Sequence, residues 1–447
     1  MCTLGARCVS EKRTQNVVAG ERLLHSPVFR TKRNGAQRAP ASCMVMAKQA
    51  EKTYKSPSLR SRFGLNAANF FQAEAVGVVL PVLNTFLREA HWRYDQIGVA
   101  TALLGLGTLL FQTPAGILVD RVQNRRLLFF VASLAVGICF GVIPFVPHTA
   151  IWVDSLLFLS GVAQSLFIPV LGALALALVG YQALNRTLGE NQGWNHAGNI
   201  VAALLAFVAV RYFGSASIFY AVAIASLVGA YSVYWIRSRE LDARISPGDG
   251  EPAKPRWSVL LHDRSILFLL AAVALFHLAN APILPVTALY IKQLGGSSAL
   301  TTFTVLSAQM VMVPVAWASG KLCDSWGRKP VMAIAFWALP LRILSYTLAH
   351  NPHMVVFLQA LDGIGAGIYG VVIVAFAADL TRGKGQFNSL LGIFATAQAI
   401  GGVVGPILSG VILQHLGFNC TFVTFAALAL VAAAIFQLLV PNASTGR

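Results

Sequence analysis

The chain has 447 residues, of which 56% are hydrophobic and only 11% charged, and its mean hydropathy is positive. Soluble domains typically carry about 25% charged residues, so this composition excludes an ordinary water-soluble fold. The formal net charge of +17 would suggest a nucleic-acid partner, but residues 1–62 alone hold 13 Lys and Arg against 3 Asp and Glu. We therefore assign the positive charge to a basic tail and to membrane-side loops, and we expect no nucleic-acid binding.

Residues 1–62 form a basic N-terminal tail that is poor in acidic residues. It has no apolar run long enough for a secretory signal peptide, whereas an organellar transit peptide would look broadly similar. A simpler interpretation is that translation begins at Met44 or Met46, because the chain from Met46 gives a short basic lead into the first apolar run. If it is translated, the tail is predicted to be disordered and to lie near anionic lipid headgroups.

The rest of the chain alternates apolar runs with short polar loops. The runs are about 20 residues long, enough to cross a hydrocarbon core of roughly 30 Å as helices, which satisfy their own backbone hydrogen bonds inside lipid. The pattern predicts an all-α integral membrane protein with twelve transmembrane helices. The predicted spans are 64–87, 96–119, 127–147, 151–179, 192–211, 217–236, 265–291, 300–319, 331–350, 353–379, 388–414 and 420–440.

An internal repeat relates the first six spans to the last six. The tripeptide Leu-Pro-Val at 80–82 recurs at 284–286, an offset of 204 residues, and a loop motif described below recurs at the same offset. Two diverged copies of a six-helix unit explain this agreement. The predicted organisation is a tail at 1–62, a first half at 63–236, a cytoplasmic linker at 237–264, a second half at 265–440 and a short C-terminal tail at 441–447.

The distribution of Lys and Arg predicts the orientation in the membrane. If the N-terminal tail is inside, the inner loops and the C-terminus hold 16 Lys and Arg, whereas the outer loops hold four. This is the positive-inside bias, which sets topology during insertion. Both termini are therefore predicted to be cytoplasmic, in a plasma membrane or a bacterial inner membrane.

Two loops at the cytoplasmic ends of spans follow one plan. Each places a Gly where two helices meet, then an acid, then bases at the membrane surface. The first copy contains Gly116, Asp120, Arg121 and Arg125, and the second contains Gly320, Asp324 and Arg328. Both stretches resemble the signature loop of the major facilitator superfamily, found between its second and third and its eighth and ninth helices. The resemblance covers essentially the whole chain after residue 62.

In that family the loop Asp latches the cytoplasmic side through contacts with neighbouring helix ends, and the loop bases pair with nearby acids. The resemblance therefore implies that Asp120 and Asp324 control conformational switching and do not touch substrate. The first copy departs from the family pattern, because Gln123 and Asn124 stand where a Gly is usual and the fourth span ends without an acid to pair with Arg125.

The second copy is complete. Asp379, at the cytoplasmic end of the tenth span, is the predicted partner of Arg328 or Arg382. The resemblance also implies alternating access, in which two six-helix halves rock around a substrate cavity near the bilayer midplane.

Few ionisable residues lie within the predicted spans, and each costs on the order of 3 kcal/mol to insert. Glu74 in the first span is the leading candidate for proton coupling, because a desolvated carboxyl takes up a proton readily; the alternative is a hydrogen-bonded structural Glu. Asp362 in the tenth span and Arg342 in the ninth predict an ion pair, and Asp362 is also a weaker coupling candidate. His277 and His196 could shuttle protons, but hydrogen-bonded packing residues are the favoured interpretation of both.

Amide side chains on several spans are candidates to line a polar cavity, and any one of them could instead bond a neighbouring helix. These residues are Asn69, Gln72, Gln112, Asn195, Asn199, Asn280, Gln309 and Gln398.

These features predict a secondary transporter. The sequence has no nucleotide-binding GxxxxGK[ST] motif, no metal-ligand pattern and no cluster of convergent catalytic residues, so we expect no cofactor and no enzyme activity. The glycine-rich eleventh span and the doubled loop resemble those of exporters, which implies proton-coupled export of a small organic solute, a drug or a metabolite. The alternatives are a proton-coupled uptake symporter and a non-transporting sensor or scaffold with a carrier fold. The expected partners are a small-molecule substrate, protons and the lipid bilayer, with no obligate protein partner.

Overall fold

The computed structural model describes residues 57–76, 79–241, 263–380 and 387–441. Predictions that concern Met44, Met46, Arg382, the C-terminal tail, and most of the N-terminal tail and of the linker therefore lie outside the described residues. The side chains of Glu74, Asp120, Asp324 and Asp379 also lie outside the description, although their backbones belong to helices.

The described residues fold into α-helices joined by short loops and 3-10 turns, with no β-strand among them. The helices of the first half are Leu59–Val76, Val79–Glu89, Tyr94–Arg121, Arg125–Val142, Ala150–Gln164, Phe167–Phe213 and Ser217–Ser232. Those of the second half are Arg264–Asn280, Ile283–Gln293, Thr302–Trp326, Arg328–Ser345, Pro352–Leu358, Ala360–Leu380 and Phe387–Leu439.

Twelve membrane spans follow from these helices. Ten segments of the described residues are long and apolar enough to cross a membrane. The last of them, Leu390–Leu439, has 50 residues and is broken at Gly417, whose φ of 78° is not helical, so it forms the eleventh and twelfth spans. The first span is not among the ten; its described residues belong to the helices Leu59–Val76 and Val79–Glu89. The predicted number of spans is therefore confirmed.

The helix ends beside the two signature loops are fixed by local chemistry. The Asn124 side chain accepts a hydrogen bond from the backbone amide of Leu127 and so caps the start of the third span. Such a cap stabilises a helix by about 1 kcal/mol, which explains why Asn124 is suited to this position although it departs from the family pattern. Gly327 separates the eighth and ninth spans with a φ of 85°, a conformation that strains residues with a Cβ atom.

Glycines on the tenth span allow its backbone to approach the eighth. A methyl group built at Gly363 would lie 2.4 Å from the carbonyl oxygen of Ala308, and one at Gly367 would lie 2.8 Å from that of Met312. A side chain at either position would therefore separate the helices. Their spacing of four residues serves helix packing.

Each half has its own hydrophobic core. In the first half the largest fully buried rings include Phe129, Phe140 and Phe219. In the second half Phe336 stacks on Phe436 with ring centroids 4.4 Å apart and an interplanar angle of 5°. Each of the two cores is therefore built mainly from the side chains of one half.

The two halves contact each other most closely at one side of the bundle. We call the side with the loops at 121–125 and 326–328 the motif side, and the other the opposite side. The core of the first half continues into Leu289, Ala299 and Leu413 of the second half, which all lie near the opposite-side ends of their spans. The core of the first half thus extends across the boundary between the halves on the opposite side.

Close backbone contacts between the second and eleventh spans complete this closure. A methyl group built at Gly98 would lie 2.4 Å from the carbonyl oxygen of Pro406, and one at Gly410 would lie 2.7 Å from that of Tyr94. The backbone amide of Tyr94 also donates a hydrogen bond to Oε1 of Gln414 at 3.0 Å. Because the second and eleventh spans belong to different halves, these glycines allow the backbones of the two halves to come into close contact.

The motif side differs. A Cβ atom built at Gly116 or Gly320 meets no described atom within 4 Å, so the expectation that these glycines lie where two helices meet is wrong for this conformation. The hydrogen bonds described on this side stay within one half: Arg126 donates to the carbonyl oxygen of Ile236, and Arg328 donates to the backbone of the tenth span. The conformation is therefore one in which the described contacts between halves concentrate on the opposite side.

Candidate functional site

A cavity of about 650 Å³ lies between the seventh, tenth and eleventh spans. Its described lining consists of Phe276, His277, Asn280, Ala281, Ala366, Tyr369, Gly370, Ile373, Gln398 and Gly402. Ligand-binding cavities usually measure about 300–1,000 Å³ and combine an apolar lining with a few polar groups. The structure thus brings together three residues that the sequence singled out, namely His277, Asn280 and Gln398.

Aromatic rings form one wall of this cavity. Phe276 and Tyr369 are nearly parallel, with centroids 5.4 Å apart and an interplanar angle of 7°. The imidazole of His277 meets Tyr369 edge to face at 4.8 Å, and Phe276 also contacts Phe336 at 5.0 Å. Such pairs stabilise each other by about 0.5–1.5 kcal/mol beyond the area they bury. The wall is therefore held in place by its own contacts.

His277 is a buried polar group beside the cavity. Its side chain is 7% exposed, and its Nε2 has no hydrogen-bond partner among the described residues. The expectation of a hydrogen-bonded packing residue is therefore wrong for this nitrogen. An unsatisfied buried polar group costs about 1–3 kcal/mol. The position is fixed by the eleventh span, since a methyl group at Gly401 would lie 2.7 Å from the carbonyl carbon of His277.

The two opposite charges predicted to pair lie next to the cavity. Arg342 Nη1 donates to Asp362 Oδ1, and Arg342 is only 2% exposed. Gln359 Nε2 donates to the second carboxylate oxygen of Asp362 at 3.2 Å, and the Tyr346 hydroxyl donates to Gln359 Oε1 at 2.5 Å. A buried ion pair needs such extra hydrogen bonds to offset desolvation. This network favours a structural role for Asp362 over proton coupling.

Asn280 connects the ion pair to the cavity. Arg342 Nη2 donates to Asn280 Oδ1 at 2.5 Å. A guanidinium has hydrogen-bond donors and no acceptor, so Oδ1 of Asn280, and not its Nδ2, must face Arg342. The Nδ2 atom of Asn280 therefore points away from Arg342. Asn280 lines the cavity, and none of its described hydrogen bonds uses Nδ2. The ion pair therefore fixes the orientation of an amide that can donate to a bound solute.

The first half holds a cluster of neutral amides. Asn195 Nδ2 on the fifth span donates to Gln72 Oε1 at 3.1 Å and to the carbonyl oxygen of Asn69 at 3.4 Å. Asn199 Nδ2 donates to the backbone and side-chain oxygens of Asn195 at 3.2 and 3.3 Å. The structure thus brings together four of the amide residues singled out from the sequence, and Asn195 joins the fifth span to the first through Gln72 and the backbone of Asn69, close along the chain to Glu74.

The remaining two predicted amides are separate from both groups. Gln309 Oε1 lies 3.1 Å from Nδ1 of His196, which joins the eighth span to the fifth and so bridges the two halves. His196 is therefore hydrogen-bonded, as the sequence interpretation held. Gln112 is half-buried on the second span and takes part in no hydrogen bond found within the described part of the chain.

On the motif side, the described bases contact backbone oxygens and neighbouring spans. Arg328 Nη1 donates to the carbonyl oxygen of Ala375 at 2.7 Å. Arg125 is buried at 7% exposure, while Arg121 is exposed at the end of the second span. Contacts of Asp120, Asp324 and Asp379 lie outside the description, so the predicted latch stays a prediction.

The sequence did not predict a polar cluster on the opposite side. Glu89 Oε1 accepts hydrogen bonds from Lys292 Nζ at 2.9 Å and from the Ser298 hydroxyl, and its Oε2 accepts one from the Ser215 hydroxyl at 2.5 Å. We call Glu89, Ser215, Lys292 and Ser298 the polar lock. Lys292 and Ser298 belong to the second half, so the lock joins the two halves at the closed side.

The charge state of Glu89 suits this role. Partial burial raises the pKa of the Glu89 carboxyl. Hydrogen bonds from Ser215, Ser298 and Lys292, together with the charge of Lys292, lower this pKa by more than burial raises it. The net pKa of Glu89 therefore lies below its ordinary value. The lock is ionised at neutral pH.

Two acids were missed for different reasons. Glu89 falls just beyond the predicted first span, 64–87, where a single acid is unremarkable, and the only signal was that Lys292 is one of few bases predicted in the outer loops. Asp154 lies one turn into the fourth span, and its Oδ1 is buried without a described hydrogen-bond partner. Asp154 falls inside the predicted fourth span, 151–179, but so near its start that the position suggests no special role.

Twelve spans in two packed halves, with a cavity of ligand size, define an integral membrane carrier. The family model described as Major Facilitator Superfamily matches residues 65–339 and 318–447. The chain therefore belongs to the major facilitator superfamily, which confirms the resemblance of its loops. It is a multi-pass membrane protein and a secondary transporter of a small molecule, and not an enzyme.

The relatives agree with this assignment. An uncharacterized MFS-type transporter of Mycobacterium tuberculosis is 34% identical over 375 residues, which cover 82% of this chain and 89% of the relative. The multi-drug resistance efflux pump PmrA of Streptococcus pneumoniae is 23% identical over 364 residues, covering 79% of this chain and 89% of that protein.

Solved structures are similar in fold. The nucleoside transporter NupG superposes with a TM-score of 0.66 at 15% identity, over 85% of this chain and 98% of that chain. A bacterial homologue of the human lysosomal transporter Spinster, in an inward-facing and unoccupied conformation, superposes with a TM-score of 0.66 at 13% identity, over 85% of this chain and 95% of that chain. At these identities the similarity concerns the fold alone.

Proposed function

We propose that this protein exports a small organic solute in exchange for protons, by alternating access. The observation that carries the proposal is a cavity of about 650 Å³ in a bundle whose halves meet on the opposite side. The positive-inside bias predicts that the motif side is cytoplasmic. In this orientation the conformation is suited to take up a solute from the cytoplasm, as an exporter must.

Similarity to PmrA, a multi-drug resistance efflux pump, supports the direction of transport. The lining of the cavity supports an organic solute, since its described residues combine aromatic rings and amides with small apolar side chains. We place the protein in a plasma membrane or a bacterial inner membrane with both termini cytoplasmic, and access of a protease to terminal tags in oriented vesicles tests this orientation.

Glu74 is the proposed coupling residue. Its helix, Leu59–Val76, also carries Asn69 and Gln72, which join the fifth span through Asn195. These amides make a polar region in the same part of the first span. A carboxyl in such a region can be hydrated enough to exchange protons while it remains within the membrane.

The switch function is proposed for the signature loops. Asp120 and Asp324 end the second and eighth spans at the motif side, the side where described contacts between the halves are sparse. Closing that side would bring both loops towards neighbouring helix ends. Gly116 and Gly320, which now have open space, would then be the positions where helices meet.

The test uses purified full-length protein in liposomes that contain a pH-sensitive dye, with a fixed pH gradient and a panel of drugs and metabolites. We expect a solute-dependent change of internal pH for the wild type and its loss in Glu74→Gln. The matched control is Glu240→Gln, which removes a partly exposed carboxylate that lies on the motif side outside the spans and accepts hydrogen bonds from Ser58. Proton movement with the solute instead of against it would mean uptake; wild-type coupling in Glu74→Gln would exclude that residue.

A further inference from the structure

The cavity between the seventh, tenth and eleventh spans has a lining that selects among solutes. We propose that it recognises an uncharged, planar aromatic solute that carries a hydrogen-bonding group at its edge. This inference rests on the proposed function, in that it names the class of solute the transporter would carry.

The charge of the lining favours an uncharged solute. None of the described residues that line the cavity is a Lys, Arg, Asp or Glu. Two described charges close to the lining, Arg342 and Asp362, pair with each other, and Arg342 also bonds Asn280. A charged solute would therefore lose its hydration without gaining a counterion. A neutral solute has no such penalty.

The rings favour a planar aromatic solute. Phe276 and Tyr369 lie parallel and His277 meets Tyr369 edge to face, so three rings already hold one another. A ligand ring that packs on this wall does not have to immobilise it. A saturated ring of the same size would fill space but would lack the preferred stacking and edge geometries of an aromatic pair.

The polar groups require a hydrogen-bonding edge on the solute. Asn280 Nδ2 is oriented by Arg342 and is available as a donor. His277 is nine-tenths buried and its Nε2 has no described partner. The Tyr369 hydroxyl likewise makes no hydrogen bond found within the described part of the chain. A carboxamide or a similar neutral group would satisfy these atoms, which a plain hydrocarbon would leave unpaired.

Two glycines provide the space. Cβ atoms built at Gly370 and Gly402 meet no described atom within 4 Å, and both glycines line the cavity. Larger side chains there would enter the cavity without displacing the described protein atoms around it. Gly392 on the eleventh span has the same open surroundings but does not line the cavity, so it offers a matched control.

The test measures equilibrium binding to purified full-length protein in lipid nanodiscs, without a proton gradient. The probes are 2-naphthamide, its anionic analogue 2-naphthoate, and the saturated neutral analogue decahydronaphthalene-2-carboxamide. We expect 2-naphthamide to bind at least tenfold more tightly than either analogue. We expect Gly402→Leu to weaken its binding at least tenfold, and Gly392→Leu to leave it within twofold.

The proposal is overturned if 2-naphthamide does not bind, if either analogue binds equally well, or if Gly402→Leu and Gly392→Leu behave alike. Because binding is measured without transport, the two proposals fail separately. If binding is selective but no solute drives proton movement, the proposed solute class stands and coupled export is rejected. If the protein exports a charged solute in exchange for protons and binding is not selective, the proposed function stands and this solute class is rejected.

Discussion

The two halves of the molecule share one fold but handle polarity within the membrane differently. In the first half, Asn195 and Gln72 belong to a cluster of neutral amides that bond one another. In the second half, Arg342 and Asp362 form a buried ion pair that orients Asn280. A repeat can thus preserve helix packing while one copy acquires an ion pair that supports a binding cavity and the other joins its spans through neutral amides.

The largest expected effect comes from breaking the ion pair. Asp362→Leu leaves the buried Arg342 without its counterion, which destabilises a protein by about 3–5 kcal/mol. We expect a large fall in the midpoint of thermal unfolding of the purified protein. The double variant Asp362→Leu with Arg342→Met should recover most of this loss, because it removes both charges. A single variant as stable as the double variant would contradict the buried charge pair.

The next effect concerns the contact between the halves. Glu89→Gln removes the charge that holds Lys292 and two hydroxyls in the polar lock. For a partly exposed lock we expect a loss of about 1 kcal/mol, or roughly a fivefold shift towards the conformation open on the opposite side. Distances between spin labels at Tyr212 and Asn351, on opposite-side loops of the two halves, measure this shift. An unchanged distance distribution would show that the apolar contacts alone close this side.

The pH dependence of the lock has a defined sign. The pKa of Glu89 is lowered from its ordinary value of 4.5, so its stabilising contribution is complete above that value and is lost as the pH falls through the lower folded-state pKa. The same spin-label distances should therefore be constant between about pH 5.5 and 8 and should lengthen only in stronger acid. A change of these distances near neutral pH would mean that a group other than Glu89 controls the pH dependence of the contact between the halves.

The neutral amides should respond more weakly than the ion pair. Asn195→Ala removes hydrogen bonds to Gln72 and to the backbone of Asn69 but leaves no charge unpaired. We expect a cost of about 1 kcal/mol, measured by the same thermal unfolding. A loss of stability as large as that of Asp362→Leu would mean that the first half tolerates the removal of a polar side chain no better than the second half does.

The smallest effect is expected at Gln112, an amide on the second span outside the cluster. It takes part in no hydrogen bond within the described part of the chain. Gln112→Ala should therefore change the free energy of unfolding by less than about 0.5 kcal/mol. A larger loss would reveal a partner of Gln112 in another conformation of the transporter.

Much of the fold was predictable because membrane insertion restricts it. Apolar runs of span length and the bias of basic residues gave the twelve spans, since lipid permits few other structures. The pairing of Arg342 with Asp362 was also predictable, because each charge alone would be costly in the bilayer. Such inferences need only composition and spacing along one chain.

The cavity and the polar lock depend on contacts between distant segments. Glu89 and Lys292 are brought together only because the halves close on the opposite side. The unpaired Nε2 of His277 likewise follows from the packing of Gly401 on the seventh span, which no local pattern reveals. One sequence contains the residues of these sites but not the distances between them.

The ion pair of the second half also bears on how the chain is made. Arg342 lies on the ninth span and Asp362 on the tenth, so the ninth span emerges from the ribosome with its charge unmatched. An Arg at the centre of a helix disfavours partition into lipid by about 2.5–3.5 kcal/mol, and Arg342, in the last turn of its helix, has a smaller cost of the same sign. The ninth span is therefore expected to wait at the insertion machinery until the tenth has been synthesised, and the two to enter the bilayer together as a helical hairpin.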